Sequence, residues 1–213
     1  MRDLYMATKT TSTKQLMHER KSVRKYKQGV TIPQEVLMQL LQDATSAPSS
    51  SNTQSWRFLV IQDQEMKKAL RPIANNQEQI ETSSAVIAVL ADIEMYKRAE
   101  EIYNASFEQG FMPRDIADMM IENTVKLYSG LPQETLKSIV HFDAGLISMQ
   151  IMLLAKELGY DTVTMGGFNK AQFAEKFELP QNEIPVVLIA IGEAAEPARN
   201  TSRIPAEKIT KFF

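Results

Sequence analysis

A polar stretch from Ala47 to Trp56 carries the densest set of groups able to hold a small ligand. It reads Ala-Pro-Ser-Ser-Ser-Asn-Thr-Gln-Ser-Trp. Proline fixes its own φ and disfavours helical geometry in the residue before it, so we expect the apolar-periodic segment 33–46 to end here. Serine and asparagine side chains can bond their own backbone or a ligand. The stretch predicts a binding loop, with an ordinary helix-to-strand connection as the alternative.

A basic cluster lies upstream, near the end of the helix that we expect over residues 12–20. It reads Arg-Lys-Ser-Val-Arg from Arg20 to Arg24 and places three positive charges and a hydroxyl within five residues. The planar fork of a guanidinium group matches the oxygens of phosphate and carboxylate. The cluster therefore predicts an anion site, and a solvated helix face is the alternative.

Several other chemistries lack the residues that they require. The chain has no cysteine, which excludes disulfides, thiolate nucleophiles and cysteine-ligated metals. His18 and His141 stand far apart with no partner at metal-binding spacing, so we expect no metal site. A hydrolase triad of a loop serine, His141 and Asp143 is disfavoured, because Gly-x-Ser-x-Gly is absent and positions two apart on a helix face different directions. Neither a P-loop nor Gly-x-Gly-x-x-Gly occurs, so the sequence offers no standard motif for a nucleoside triphosphate or a dinucleotide.

Three motifs occur in a fixed order: Arg-Lys-Ser-Val-Arg-Lys-Tyr from Arg20, the loop extended to Arg-Phe at residue 58, and Met-Gly-Gly-Phe at 165–168. Together they resemble the nitroreductase family of FMN flavoproteins, and the resemblance covers about residues 13–203. It implies an FMN-dependent oxidoreductase that uses NAD(P)H to reduce nitroaromatics, quinones or similar electron-poor small molecules by a ping-pong mechanism. In such enzymes the cofactor supplies the hydride chemistry and the protein supplies position and electrostatics.

The resemblance also implies which residues bind the cofactor. Arg20, Ser22 and Arg24 resemble residues that contact the phosphate, ribityl and pyrimidine portions of FMN, and Arg203 resembles a C-terminal phosphate-binding arginine. Asn76 resembles an asparagine near the pyrimidine edge. The complete implied set is Arg20, Lys21, Ser22, Val23, Arg24, Pro48, Ser49, Ser50, Asn52, Asn76, Met165, Gly166, Gly167 and Arg203.

Two parts of this set carry particular roles in the family. Residues 48–52 look like the loop that the other subunit supplies. Gly166 and Gly167 sit where the family's turn presents a backbone N–H to flavin N5, so they are the catalytic candidates, without a side-chain acid or base. Some members carry Glu where this chain has Gly166, so only a backbone donor is expected at this position. Some carry Lys where this chain has Arg24, so the reduction potential of the flavin can differ.

Apolar patterning predicts the elements that position these motifs. Buried strands are expected near 57–62, 85–91, 160–165 and 185–192, and helices near 12–20, 33–46, 63–70, 132–158 and 170–177. These elements predict an α+β fold, a mainly antiparallel central sheet flanked by helices within one domain spanning 1–213. Residues 1–11 are expected to be a loose lead-in.

Three segments are expected to serve assembly and substrate choice. Residues 92–130 mix charged residues with aromatics, including Tyr103, Phe107 and Phe111, and predict one or two helices that cover the substrate pocket and stack these aromatics on flat substrates. The alternative is a helical pair with the same aromatics in its core. The helix 132–158 is apolar nearly all round, which favours a homodimer interface. The tail 193–213 has no core of its own, and in the family it resembles an arm exchanged across the homodimer.

Composition limits the partners. The formal net charge is −2, which argues against nucleic acid and membrane surfaces. The N-terminus has no signal-like apolar stretch, and we expect no apolar run long enough to span a bilayer. Together with the lack of cysteine, this favours a cytoplasmic protein. The alternatives to a nitroreductase are an enone reductase, flavin reductase or dehalogenase on the same fold, and a non-catalytic FMN-binding protein.

Overall fold

The computed structural model describes residues 12–213, so the lead-in expected over residues 1–11 lies outside the described residues. The helices are α1 (Thr13–Glu19), α2 (Gln34–Ala44), α3 (Gln64–Ile73), α4 (Glu78–Thr82), α5 (Ala99–Glu108), α6 (Arg114–Ser129), α7 (Gln133–Glu157) and α8 (Lys170–Lys176). The strands are β1 (Trp56–Ile61), β2 (Ala85–Asp92), β3 (Asp161–Met165) and β4 (Glu183–Gly192). The predicted α+β class is confirmed.

The four strands form one sheet in the order β1-β2-β4-β3, and every neighbouring pair is antiparallel. Phe58 lies opposite Val89 in the first pair, and Val163 lies opposite Ala190 in the last. This register places the beginning of β1, which follows the polar loop, and the end of β3, which precedes Gly166, in the same sheet. The sheet therefore fixes the ends of two predicted motifs.

Strand β2 runs through the centre and is buried along its whole length. Ile87 and Val89 pack in a core with α2 and α7, whereas Val86, Ala88 and Leu90 pack in a second core with α3, α4 and α8. Successive side chains of a strand point to opposite faces, so a strand covered on both faces reads as a continuous apolar run. This is why residues 85–91 show no polar alternation.

Most predicted elements agree with the structure within three residues. Pro33 caps α2 without a side-chain hydrogen bond, as suits a proline at a helix start. Residues 78–82 form the short helix α4, which the apolar patterning did not predict. The ambiguous segment 92–130 resolves into α5 and α6, which pack around Ala99, Tyr103 and Ala117.

Helix α7 corrects one expectation. Within residues 12–213 it is the single helix whose length and composition would suffice to cross a membrane. The expectation that no apolar run is long enough to span a bilayer is therefore wrong. Nine of its residues are buried in the fold, among them the core residues Ile147 and Ile151. A central helix packed against a sheet needs the same apolarity, so core packing accounts for it.

Candidate cofactor and substrate site

The polar loop adopts a strained conformation that its own side chains support. Ser51, Asn52 and Gln54 have φ values of 48°, 51° and 47°, and a non-glycine residue in this left-handed region costs about 1–2 kcal/mol. The Ser49 hydroxyl accepts the Gln54 N–H at 3.0 Å. The Ser50 carbonyl accepts both the N–H and the hydroxyl of Thr53, at 3.0 and 2.8 Å. The loop thus has a defined conformation that its own hydrogen bonds fix.

A buried carboxylate anchors the loop from below. Asp143 of α7 is 0% exposed, and it accepts the Ser50 N–H at 3.1 Å, the Ser50 hydroxyl at 3.0 Å and the Ser55 hydroxyl at 3.3 Å. No cation within residues 12–213 forms an ion pair with it. A buried carboxylate needs such donors because they replace the water that it has lost.

Two tyrosines hold the same loop from the side of the predicted cover. Tyr103 of α5 donates its hydroxyl to the Ser51 carbonyl at 2.7 Å, and Thr124 of α6 donates to the Tyr103 oxygen at 3.3 Å. The Tyr128 and Ser51 hydroxyls share a hydrogen bond of 2.9 Å. Tyr103 is 3% exposed. Its ring is therefore a core element that reaches the loop, which corrects its expected place among the substrate-stacking aromatics.

The basic segment is held against the edge of the sheet by its backbone. Ser22 lies beside Thr162 of β3, and the Val23 N–H donates to the Thr162 carbonyl at 3.0 Å. Farther along, the Tyr26 hydroxyl donates to the Ala190 carbonyl at 3.1 Å. Burial raises the pKa of the Tyr26 phenol well above its usual value, and the Asp161 carboxylate adds to the increase. Tyr26 therefore remains a neutral donor that fixes the segment.

Two polar atoms beside this segment lack partners. Among the buried side-chain atoms of residues 12–213, Arg20 Nε and Thr162 Oγ1 form no hydrogen bond. Most buried polar groups are paired, so an unpaired donor in the segment that also carries the exposed cation Arg24 indicates a place for an acceptor. A cavity of about 280 Å³ lies along the same segment, lined by Ser22, Arg24, Lys25 and residues 196–199 and not by Arg20.

The Gly166-Gly167 turn is tied to a second loop. The Gly167 carbonyl accepts the side-chain amides of Asn75 at 2.8 Å and Gln77 at 3.1 Å. Asn75 and Asn76 both have φ of 55°, a region that asparagine tolerates well. Asn75 thus forms the contact with the turn, and the predicted residue Asn76 is its exposed neighbour. A Cβ added at Gly166 would meet no atom within 4 Å, so the backbone here accepts a side chain at its first carbon.

The structure therefore brings together only parts of the predicted site. Arg20, Lys21, Ser22, Val23 and Arg24 lie along β3, whose last residue is Met165, and the Gly166-Gly167 turn follows it with Asn75 and Asn76 alongside. No hydrogen bond within residues 12–213 joins Pro48, Ser49, Ser50 or Asn52 to that segment. Arg203 bonds only Thr201 and the Ser202 carbonyl. The loop and Arg203 thus form no hydrogen bond with the basic segment within residues 12–213, although the beginning of the arm, at Glu193 and Glu196, pairs with Lys27 and Lys25.

Sequence reasoning missed three residues that shape the site, Asp143, Tyr103 and Tyr128 as loop anchors. Asp143 carried a readable signal, since it is the only carboxylate between Glu134 and Glu157 in a strongly apolar helix and buried acids need donors. Tyr103 and Tyr128 gave none, because a tyrosine on a helix is an ordinary core residue until its hydroxyl is seen to reach a carbonyl.

The family model described as "Nitroreductase family" matches residues 17–193, which is most of the chain. The chain belongs to the nitroreductase family. A protein of Bacillus subtilis (strain 168), YdgI, provisionally named an NAD(P)H nitroreductase, is 41% identical over 206 residues, covering 96% of this chain and 99% of YdgI.

Two further relatives extend the comparison to structure and to other chemistry. This nitroreductase-family chain is 40% identical to a protein from Exiguobacterium sibiricum 255-15, provisionally named a nitroreductase and solved in complex with FMN, with a TM-score of 0.91 over 95% of this chain and 98% of that one. It is 28% identical to the CLA biosynthesis enone reductase of Lactiplantibacillus plantarum, over 93% of each chain.

Proposed function

We propose that this nitroreductase-family protein binds FMN and uses NAD(P)H to reduce nitroaromatics, quinones or similar electron-poor small molecules. The observation that carries the proposal is the buried, unpaired Arg20 Nε beside the Ser22–Thr162 contact, in a chain similar to a protein solved with FMN. We also propose that the protein is cytoplasmic, which the lack of cysteine favours.

The residues along β3 fit an FMN group by their chemistry. Arg20 and Arg24 supply guanidinium donors for a phosphate or a pyrimidine oxygen, and Ser22 supplies a hydroxyl. Gly166 and Gly167 are exposed and leave their backbone accessible to an acceptor. When bound, FMN supplies hydride transfer, and these residues hold and orient it.

A homodimer completes the proposed site. Phe142 and Met149 of α7 are 65% and 37% exposed, and Met38 of α2 is 68% exposed. Gly145 lies between the first two on the same stripe of the helix, and a Cβ there would meet nothing within 4 Å. Exposed apolar residues around an open glycine suit close packing against a second copy. The loop 48–52 of that copy would then face the basic segment of this one.

The cover contributes the acceptor pocket. A cavity of about 370 Å³ lies between the loop and α5, and its lining includes Asn52, Gln54, Ile102 and Phe111. Phe111 is 75% exposed, so its ring is free to stack on flat acceptors. Phe107 is 39% exposed, and the Arg114 guanidinium already lies over its ring, 5.3 Å from the centroid. The two substrates would occupy this place in turn, which predicts ping-pong kinetics.

The decisive experiment is anaerobic. The purified protein should be yellow, should lose its flavin absorbance on addition of NADPH or NADH, and should regain it with a nitroaromatic or a quinone. Initial rates against NADPH at several acceptor concentrations should give parallel double-reciprocal lines. Protein that stays colourless after incubation with FMN would refute the proposal, and colour without bleaching would leave only a flavin-binding role.

A second candidate is reduction of an enone, because a relative of 28% identity is named an enone reductase. The two activities differ in the acceptor alone, since the fold and cofactor do not fix the substrate. Comparison of kcat/KM for an α,β-unsaturated ketone, a quinone and a nitroaromatic, with one enzyme preparation, decides between them.

A further inference from the structure

The contacts of Ser51 carry an inference about how the cover and the cofactor loop act on each other. Ser51 has a left-handed backbone, and both its carbonyl and its hydroxyl are bonded by phenolic oxygens from helices of the cover, Tyr103 at 2.7 Å and Tyr128 at 2.9 Å. A strained backbone persists only where its surroundings over-determine it. The bonds to α5 and α6 are therefore part of what keeps the loop in this shape.

The anchors of the loop divide into two kinds. Asp143 lies in α7 at the centre of the fold and bonds Ser50 and Ser55. The tyrosines lie in the cover helices α5 and α6. Tyr103 packs in a small core cluster with Ala99 and Ala117, whereas Tyr128, at the end of α6, packs with Leu136 and Val140 of α7. One end of the loop is thus fixed to the central helix, and its left-handed corner is fixed to the cover.

We propose that Tyr103 and Tyr128 are positioning residues that couple the cover to the cofactor loop. A displacement of α5 or α6 breaks the bonds at Ser51, releases the left-handed corner and weakens the hold on the cofactor. Conversely, an acceptor that packs α5 against the loop strengthens that hold, because coupling between two binding events is reciprocal. This inference rests on the proposed FMN function.

The test compares three single hydroxyl removals in the full-length holoprotein. Tyr103→Phe and Tyr128→Phe each remove one anchor and keep the ring. Tyr96→Phe is the matched control, since Tyr96 lies in the same segment, packs against the core cluster that contains Tyr128 and makes no hydrogen bond to the loop within residues 12–213. Two quantities are measured, the exchange rate of the Asn52, Thr53 and Gln54 amide hydrogens and the FMN dissociation rate.

Tyr103→Phe and Tyr128→Phe should each raise both rates by up to about tenfold, the equivalent of one hydrogen bond. Tyr96→Phe should leave them unchanged. Addition of 4-nitrobenzoate to the oxidised parent should slow FMN dissociation, and this slowing should be smaller in the two loop variants. A purely structural role of the tyrosines would lower thermal stability and leave the effect of 4-nitrobenzoate intact.

Two results overturn the inference. The first is amide exchange in the loop of Tyr103→Phe and Tyr128→Phe that matches the Tyr96→Phe control. The second is an equal effect of 4-nitrobenzoate on FMN dissociation in the parent and in both loop variants. If the parent itself binds no FMN, the proposed function fails, and the amide exchange still decides whether the tyrosines position the loop.

Discussion

The loop 47–56 and the arm 193–213 are both polar, irregular segments assigned to the same site, yet they differ in how the chain holds them. Ser50 and Ser51 are bonded from three helices through Asp143, Tyr103 and Tyr128. The arm is held only at its beginning, where Glu193 and Glu196 pair with Lys27 and Lys25. Every residue from 199 onward is exposed, and the hydrogen bonds of Arg203, to Thr201 and Ser202, are local.

If the site is shared across the proposed homodimer, the difference indicates which part of it one chain can build alone. Hydrogen bonds within its own subunit fix the conformation of the loop, so the loop would have this conformation before a partner binds. The arm exposes Ile204, Ile209 and Phe212 at 67%, 73% and 95%, and apolar side chains of this size are usually covered. We therefore expect its order and its contribution to the site to come from the second subunit.

The largest effect should come from deletion of residues 199–213. If the arm covers the partner, each buried Ile or Phe contributes about 1.5–3 kcal/mol, so the dimer dissociation constant should rise by a factor of about 10² or more. Sedimentation from micromolar to nanomolar concentrations measures it. A truncated chain that remains a dimer with unchanged affinity would remove the arm from the interface and break the comparison.

The next effect should be Asp143→Ala. It leaves the Ser50 N–H and two hydroxyls without their buried acceptor, which should lower the free energy of unfolding by about 3 kcal/mol and Tm by about 6–12 °C. Glu157→Ala, at an exposed position of the same helix, is the control. Equal melting temperatures for the two variants would show that the loop does not depend on the carboxylate.

Cofactor affinity separates the two regions directly. Arg20→Ala and Arg203→Ala should each weaken FMN binding about ten- to a hundredfold, because charge-assisted bonds to a phosphate contribute about 1.5–3 kcal/mol. Fluorescence titration with FMN measures both, with Lys68→Ala as the control, since Lys68 pairs with Glu65 on the surface. An effect of Arg20 alone would place the arm outside the phosphate site, and an effect of neither would refute the assignment.

The smallest effect concerns the strain in the loop. Gln54→Gly at a φ of 47° should raise the free energy of unfolding by about 0.5 kcal/mol, because the relief of left-handed strain exceeds the entropy that glycine adds to the unfolded chain. Glu178→Gly, at a φ of 49° outside the site, should stabilise similarly. Only Gln54→Gly should also speed FMN release. Destabilisation by Gln54→Gly alone would mean that the loop carries no strain at this residue.

Local pattern predicted much of this molecule. The predicted boundaries of the strands and most helices agree with the structure within three residues. They rest on signals such as the apolar run 85–91 and the proline at 33, because burial periodicity and backbone restriction act over short distances. The motifs at 20–26, 47–58 and 165–168 identified the family, which the family match confirmed. The short helix α4 was missed because five residues carry too little periodicity to show.

The sequence by itself determined the α+β class, the family and the groups able to bind an anion, because residue type and spacing carry that information. Only the tertiary structure decided which distant residues hold the loop: Asp143 lies 93 positions from Ser50, and Tyr103 and Tyr128 lie 52 and 77 positions from Ser51. It also decided that Asn75 bonds Gly167. Such contacts depend on which distant elements the sheet and α7 bring side by side, and hydrogen-bond geometry over these separations leaves no mark in the local pattern.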